Sequence, residues 1–231
     1  MQEKVKILTR KIPFSWKRPA PLGRGSPNGG GRQKTRLLVL AGRRKTGKDV
    51  LLSYVMRNYP GFKHYRIAQG PDLIAKVLGL PVERRIEHAL FGVNALLYPI
   101  LGESAYKRRV AKLLDHERPL LAIVEAIRTK EEYDEFVVKR KGVLIGIKAD
   151  NRLRHIRALR DAGKAVRKKD EDKMSFREFM VKELFPLERK IDWIVNRAHF
   201  VLDNSHNKKA PFYKAIDEVM RRLGFKKKIR R

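Results

Sequence analysis

One short segment constrains the fold of this chain more than any other, because an apolar run, a glycine loop and an amphipathic run follow one another directly. In the segment Arg36-Leu37-Leu38-Val39-Leu40-Ala41, five consecutive apolar residues follow Arg36, which is typical of a strand buried on both faces. The loop Gly42-Arg43-Arg44-Lys45-Thr46-Gly47-Lys48-Asp49 comes next, and Val50 to Asn58 is compatible with a helix. This order predicts a loop whose backbone N–H groups turn inward around phosphate oxygens at the N-terminus of a helix.

The loop matches the P-loop pattern, Gly-x-x-x-x-Gly-Lys followed by Ser or Thr, at every position except the last, where Asp49 stands. Lys48 is expected to neutralise the β- and γ-phosphates of ATP, while all eight residues from Gly42 to Asp49 form the cradle. Asp49 lacks the hydroxyl that ordinarily contacts Mg²⁺, but a carboxylate could hold the ion directly or through water. The alternative is a degenerate loop that binds phosphate without transferring it.

Length and composition limit what can surround this loop. A chain of 231 residues, 42% hydrophobic and 35% charged, suits one α/β domain with a core and a highly charged surface. There is no cysteine, which excludes disulfides, thiolate metal sites and a cysteine nucleophile. Without a signal-peptide run or an apolar stretch of membrane-spanning length, the sequence predicts a soluble, cytoplasmic protein.

The formal charge of +30 suggests polyanionic surroundings, and much of it lies at the two ends. We expect a basic disordered tail over residues 1–35, a globular domain over 36–225 and a basic tail over 226–231. The tails could make nonspecific contacts with nucleic acid or a membrane surface, or could be solvated extensions without a partner.

The rest of the chain alternates between strand-like and helix-like segments. Further strands are predicted at 64–68, 120–125, 143–149 and 200–202. With the strand before the loop they give a five-stranded parallel sheet with helices on both faces, the three-layer α/β architecture of P-loop NTPases. A helical acceptor-binding insertion is expected at about 70–116 and a lid at about 152–174.

The third predicted strand ends in an acid followed by a base. Glu125 could hold Mg²⁺ through water or accept a proton from a substrate hydroxyl, and Arg128 could grip a substrate phosphate. Thr129 is a suitable N-cap for the helix that follows. The alternative for Glu125 and Arg128 is a structural ion pair at the start of that helix.

Two stretches resemble known kinases. The loop ending Gly47-Lys48-Asp49 resembles those of animal phosphomevalonate kinases and bacteriophage deoxynucleoside monophosphate kinases. The stretch Val124-Glu125-Ala126-Ile127-Arg128 is similar to the Asp-Gly-Ile-Arg segment of dephospho-CoA kinase-like and nucleotide kinase-like proteins, with Glu125 and Ala126 replacing Asp and Gly. Weaker similarity runs in the same order from Leu37 to Val219.

The resemblance implies roles for further residues. Arg157 and Arg160 would be catalytic lid arginines, and their spacing of three places them on one helix face. Arg108 would contact the phosphate of the acceptor. Asn204 would approach the adenine ring, to bind the base or to shape a turn. Each of the three arginines could instead be a solvated surface residue.

These observations predict an ATP- and Mg²⁺-dependent kinase that phosphorylates a nucleoside or deoxynucleoside monophosphate. Dephospho-CoA is the nearest alternative acceptor, and phosphomevalonate is suggested by the loop alone. A different class of function is an RNA-binding P-loop NTPase, which the charge of +30 and the basic ends favour. No recognised nucleic-acid-binding motif is present in the sequence.

Overall fold

The structure, a computed structural model, describes residues 7–9, 35–67, 105–163, 174–184, 186–206 and 208–228. They form a sheet with helices on both faces. The strands are β1 Ile7–Thr9, β2 Arg36–Ala41, β3 Phe62–Arg66, β4 Leu121–Glu125, β5 Val143–Lys148 and β6 Phe200–Asp203. The helices are α1 Lys48–Asn58, α2 Ala105–Glu117, α3 Lys130–Tyr133, α4 Asn151–Gly163, α5 Phe176–Glu183, α6 Pro186–Val195 and α7 Lys209–Arg222, and α3 continues into a π-helical segment, Asp134–Lys139.

The sheet has the order β1-β6-β5-β2-β4-β3, which places β2 near its centre. Strands β2 to β6 run parallel, whereas β1 pairs antiparallel with β6 at the edge. Leu40 of β2 lies opposite Glu125 of β4, and Ala41 lies opposite Gly146 of β5. The carboxyl ends of the parallel strands therefore meet at one edge, where ligands bind in folds of this kind.

The predicted three-layer α/β fold is confirmed, with one correction to the sheet. The prediction of five parallel strands is wrong in number, because a sixth, antiparallel strand is present. This strand, Ile7–Thr9, comes from the stretch predicted to be a disordered tail. The other residues of that stretch up to residue 34 lie outside the described part of the chain, as do 68–104 of the predicted insertion and 164–173 of the predicted lid.

Strand β2 is buried on both faces, as its unbroken apolar run predicts. Leu38 and Leu40 pack in one apolar cluster with residues of α1 and α7, while Leu37 and Val39 pack in a second cluster with residues of α2 and α6. All four are at most 2% exposed. Burial of each such side chain contributes about 1.5–3 kcal/mol to the free energy of unfolding. Strand β2 is therefore held firmly in the core, and it fixes the position of the loop that follows it.

The beginning of the predicted C-terminal tail packs against the domain. The backbone N–H of Lys228 donates to the carbonyl of Asn58 at 2.8 Å. Lys227 Nζ lies 2.8 Å from a carboxylate oxygen of Asp217. These contacts anchor residues that composition alone assigned to a tail. Within the described residues, no helix is both long enough and apolar enough to cross a membrane.

Candidate active site

The two glycines of the phosphate loop, residues 42–49, have no room for a side chain. A Cβ atom on Gly42 would lie 2.6 Å from the carbonyl oxygen of Ile147. Gly47 has a φ of 105°, and a Cβ atom there would lie 2.4 Å from Nδ2 of Asn204. The backbone therefore makes the close turn predicted from the glycine pattern and enters α1 at Lys48.

Lys48 folds its side chain across this turn. Its Nζ donates to the carbonyl oxygens of Gly42 at 2.7 Å and Arg43 at 2.9 Å. The hydroxyl of Thr46 also donates to the Arg43 carbonyl, at 2.9 Å. The loop thus forms a compact unit with the ammonium group held against its own backbone, a position from which the charge can meet phosphate oxygens.

The loop is fastened to the β6 side of the sheet by two side chains. Asn204 Nδ2 donates to the Thr46 carbonyl at 2.8 Å. Arg157 donates to the carbonyls of Lys45 at 3.2 Å, Asn204 at 2.9 Å and His206 at 3.0 Å. Arg157 therefore joins the loop to the segment that follows β6, and both side chains shape the loop in this structure.

A cavity of about 290 Å³ lies beside the loop on this side. Six cationic side chains but only two carboxylates line it, which gives it a positive potential. Its charged lining consists of Lys45, Lys48, Asp49, Arg157, Arg160, Asp161, Lys208 and Lys209. Lys45 Nζ pairs with Asp161 at 2.6 Å, so one of the two carboxylates is already used.

Glu125 ends β4 on the opposite side of β2. One of its oxygens, Oε1, lies 3.2 Å from Arg66 Nε and 3.4 Å from His64 Nε2. The other, Oε2, is buried and has no hydrogen-bond partner among the described residues. Burial by itself would raise the pKa of Glu125, but His64, Arg66 and Lys48 together outweigh burial and hold the pKa below its ordinary value. Glu125 is therefore a buried, ionised carboxylate.

The chain turns sharply after Glu125. Ala126 has a φ of 67°, in the left-handed region that a residue with a Cβ atom seldom adopts. Arg128 is exposed two residues later. Thr129 caps α3 as predicted, in a reciprocal capping box with Glu132. After the turn, Glu125 is buried whereas Arg128 is exposed to solvent, and the two side chains form no ion pair with each other.

A group of ionic side chains lies on the other side of the loop. Arg43 Nη1 is 2.5 Å from Glu183 Oε2, and its Nε and Nη2 reach the two oxygens of Asp192 at 2.9 and 2.5 Å. Arg154, which is 1% exposed, contacts the same oxygen of Glu183. Arg43 thus anchors the loop to α5 and α6, and its side chain points away from the turn that Lys48 occupies.

The structure gathers most of the predicted site residues at one edge of the sheet. Lys48, Asp49, Arg157 and Arg160 line the same cavity, whereas Asn204 directs its amide at the loop. Arg108 is exposed on α2. The segment next to it, 68–104, lies outside the described residues, so the predicted acceptor role of Arg108 stays a prediction.

Sequence reasoning missed two groups around the loop. His64 and Arg66 are two apart on β3, and this spacing on one strand face at the predicted carboxyl edge could have drawn attention to them. Arg43 and Glu183 are separated by 140 residues, and no local pattern connects them.

The comparisons with known proteins support the fold. No protein-family model and no curated protein matches the chain. Among solved structures, TT1252 from Thermus thermophilus is similar with a TM-score of 0.50 and 15% identity, covering 82% of this chain and 98% of that chain. Shikimate kinase from Bacteroides thetaiotaomicron gives a TM-score of 0.52 at 11% identity, with the same coverage of 82% and 98%. Likenesses at these identities show that the chain shares its α/β fold with these two proteins.

Proposed function

We propose that this chain is a P-loop phosphotransferase, which moves the γ-phosphoryl group of ATP to a small nucleotide-like acceptor. The observation that carries the proposal is the phosphate loop, with Lys48 folded across it and the buried carboxylate of Glu125 on the neighbouring strand end. A phosphate loop alone can hold a nucleotide. A buried carboxylate next to it adds a group that can orient an acceptor or a metal ion.

The charge of the cavity beside the loop suits a nucleotide as the phosphoryl donor. Its six cations exceed its two carboxylates by four charges, which matches a fully ionised ATP. The inward-turning backbone of the loop and the N-terminus of α1 supply further stabilisation of phosphate oxygens. In this proposal Lys48 neutralises the β- and γ-phosphates, Arg157 holds the loop in shape through its bonds to three carbonyls, and Arg160 approaches the transferred group.

The residues present also fit Mg²⁺. Carboxylate oxygens are among its preferred ligands, and the site offers exposed Asp49 and the unpaired Oε2 of Glu125. The described residues contain no group of three or more potential metal ligands. Asp49 and Glu125 would therefore share the ion with nucleotide phosphates and water. When bound, Mg²⁺ supplies charge neutralisation between the β- and γ-phosphates.

The transfer itself requires positioning more than covalent chemistry. The loop backbone and Lys48 would hold the donor, with the γ-phosphoryl group directed to the edge where Glu125 lies. Because its pKa is lowered, Glu125 is ionised at neutral pH and can accept a hydrogen bond from an acceptor group. An oxygen of the acceptor then bonds to the γ-phosphorus, in line with the bond to the β,γ-bridging oxygen, which breaks as ADP leaves. No covalent enzyme intermediate is needed.

A nucleoside or deoxynucleoside monophosphate is the acceptor that we favour. Exposed Arg128, close in sequence to Glu125, is a candidate ligand for its phosphate, and Arg108 is a second. Dephospho-CoA and phosphomevalonate are alternatives. The charge of +30 supports one proposal of another class, an RNA-binding P-loop NTPase.

A coupled assay of ADP release tests the proposal and separates these acceptors. Full-length protein would be supplied with Mg·ATP and, in turn, each nucleoside monophosphate, dephospho-CoA, phosphomevalonate and shikimate, each with and without RNA. Identification of the product by mass spectrometry distinguishes transfer from hydrolysis. The proposal predicts a phosphorylated small acceptor whose formation does not need RNA. ADP release that requires RNA and yields only inorganic phosphate would contradict it.

A further inference from the structure

A second cavity, of about 510 Å³, lies along the phosphate loop on the side of α5 and α6. It is bounded by the carboxyl end of β5, the first turn of α4, and α5 and α6. Arg43 and Thr46 of the loop form part of its wall, but Lys48, Asp49, Arg157 and Arg160 do not. The volume falls in the range of small-molecule sites, and this cavity has no part in the phosphoryl transfer proposed above.

The charged lining of this cavity is predominantly positive. Four cations and two carboxylates line it, namely Arg43, Lys148, Arg154, Arg189, Glu183 and Asp192. Both carboxylates are already taken, because Asp192 binds Arg43 through both oxygens and Glu183 contacts Arg43 and Arg154. The excess of two positive charges therefore falls on the remaining cations.

These remaining cations, Lys148 and Arg189, are exposed and have no acidic partner among the residues that the structure describes. Lys148 Nζ donates to the neutral amide oxygen of Asn196 at 2.9 Å. Arg189 forms no ion pair with any described residue, although its side chain lines the cavity. Two cations that share a concave surface, where the carboxylates are bound to other arginines, attract anions more strongly than the same cations on a convex surface.

Arg154, a buried residue of the cavity wall, adds to the positive potential of the cavity. It is 1% exposed, and its Nε has no hydrogen-bond partner among the described residues. Glu183, its carboxylate partner among the described residues, is shared with Arg43. A buried guanidinium that shares its counter-ion leaves part of its charge uncompensated in a region of low dielectric constant.

We propose that this cavity is a second anion-binding site, which takes the phosphate or carboxylate group of a small polar ligand. Lys148 and Arg189 contact the anion directly, and guanidinium groups suit the paired oxygens of both anion types. The side-chain amide of Asn196, whose oxygen already accepts from Lys148, can offer its N–H groups to the same ligand. The site does not depend on transfer of phosphate from ATP.

Calorimetric titration of the full-length protein tests this site. Inorganic phosphate and malonate are titrated separately, in the presence of saturating Mg·AMP-PNP, which occupies the phosphate loop. The titrations are repeated with Lys48→Ala, so that the result does not depend on nucleotide binding. We expect one anion per chain in both backgrounds. Tighter binding of phosphate identifies a phosphate ligand, and tighter binding of malonate identifies a carboxylate ligand.

Two double variants locate the anion. Lys148→Ala with Arg189→Ala should weaken binding at least tenfold, whereas Lys208→Ala with Lys209→Ala should change it less than threefold. Both pairs remove two exposed cations, so the change in net charge is the same, but the second pair lines the nucleotide cavity. Matching thermal melts show that both variants fold. The proposal is overturned if no anion binds in either background, or if the two double variants lose affinity equally.

Discussion

The two sides of the phosphate loop differ in how completely their buried polar groups are paired. On the β6 side, Arg157 donates to three carbonyls and the amide of Asn204 donates to a fourth. On the β4 side, buried Glu125 keeps Oε2 without a hydrogen-bond partner among the described residues. Buried polar groups are nearly always paired in native proteins, and exceptions call for an explanation. The paired side shapes the loop, and the unpaired side is where we expect chemistry.

The energetic consequences of this difference are testable. A buried hydrogen-bond acceptor that has no donor lowers the stability of the fold by roughly 1–3 kcal/mol, and by more when the acceptor is charged. The neighbouring side chains of His64, Arg66 and Lys48, which lower the pKa of Glu125, offset part of this cost. Substitutions on the β4 side should therefore affect turnover more than folding, whereas substitutions on the β6 side should affect nucleotide affinity.

The largest expected effect of these is on turnover, from Glu125→Gln. Loss of the charge should lower kcat by about a hundredfold or more, the scale of a missing positioned acid–base group, with little change in KM for ATP. Steady-state kinetics measures both constants, with the acceptor that the coupled assay of ADP release identifies. Glu117→Gln is the matched control, because Glu117 also binds two β3 residues, Lys63 and Tyr65, which alternate along the strand with His64 and Arg66. A kcat within threefold of the parent for Glu125→Gln would remove this carboxylate from the mechanism.

The lowered pKa of Glu125 predicts how its contribution to stability varies with pH. The Glu125 carboxyl binds its proton more weakly in the folded protein than in the unfolded chain, where its pKa is about 4.3. Its contribution to the free energy of unfolding is therefore present above that pKa and is lost as the pH falls through the lower pKa of the folded state. The difference in urea-unfolding free energy between the parent and Glu125→Gln should thus change as the pH is lowered from about 5 to about 3, where the carboxylate takes up its proton. A difference that is the same at both ends of this range would contradict an ionised Glu125 with a lowered pKa.

The next effect is on nucleotide affinity, from Arg157→Ala. Arg157 donates three hydrogen bonds that join the loop to the segment after β6. Its removal should raise KM for ATP about tenfold, which is the scale of one to two lost hydrogen bonds. The value of kcat should change less than threefold. Arg152→Ala on the same helix removes an exposed arginine and serves as the control. If kcat falls while KM stays constant, Arg157 contacts the transferred group, as the resemblance implied.

The smallest effect is expected from Asp49→Ala. Asp49 is exposed, and the backbone cradle does not need its side chain. The Mg²⁺ concentration for half-maximal activity should therefore rise by roughly two- to fivefold, because most ligands of the ion come from phosphates and water. Superimposable Mg²⁺ titrations of the variant and the parent would show that Asp49 does not reach the metal.

Local sequence patterns predicted the secondary structure around the phosphate loop well. The strand Arg36–Ala41 was predicted residue for residue, because an apolar run flanked by glycine has few other structures open to it. The carboxyl end of β4 at Glu125 and the N-cap at Thr129 were also predicted correctly. In each case the signal lies within a few residues.

Long-range contacts were beyond prediction from one sequence. β1 adds to the sheet by backbone pairing of three residues with β6, nearly two hundred positions away in sequence, and its basic surroundings indicated a tail. The side chain of Asn204 was expected either to bind a base or to shape a turn, and no local pattern indicated that it donates to the carbonyl of Thr46, 158 residues away. Such pairings depend on tertiary packing, which composition and periodicity do not encode.

Comparison of two lysines in the loop tests the central claim most directly. Lys48 is held across the turn by two loop carbonyls, whereas Lys45 is paired with Asp161. The measurement is the rate of γ-phosphoryl transfer from labelled ATP. For Lys48→Ala the rate should fall at least a hundredfold, because a preorganised charge at the phosphates is lost. For Lys45→Ala the rate should fall less than threefold. A folded Lys48→Ala protein with turnover within threefold of the parent would contradict the proposal that this loop carries out phosphoryl transfer.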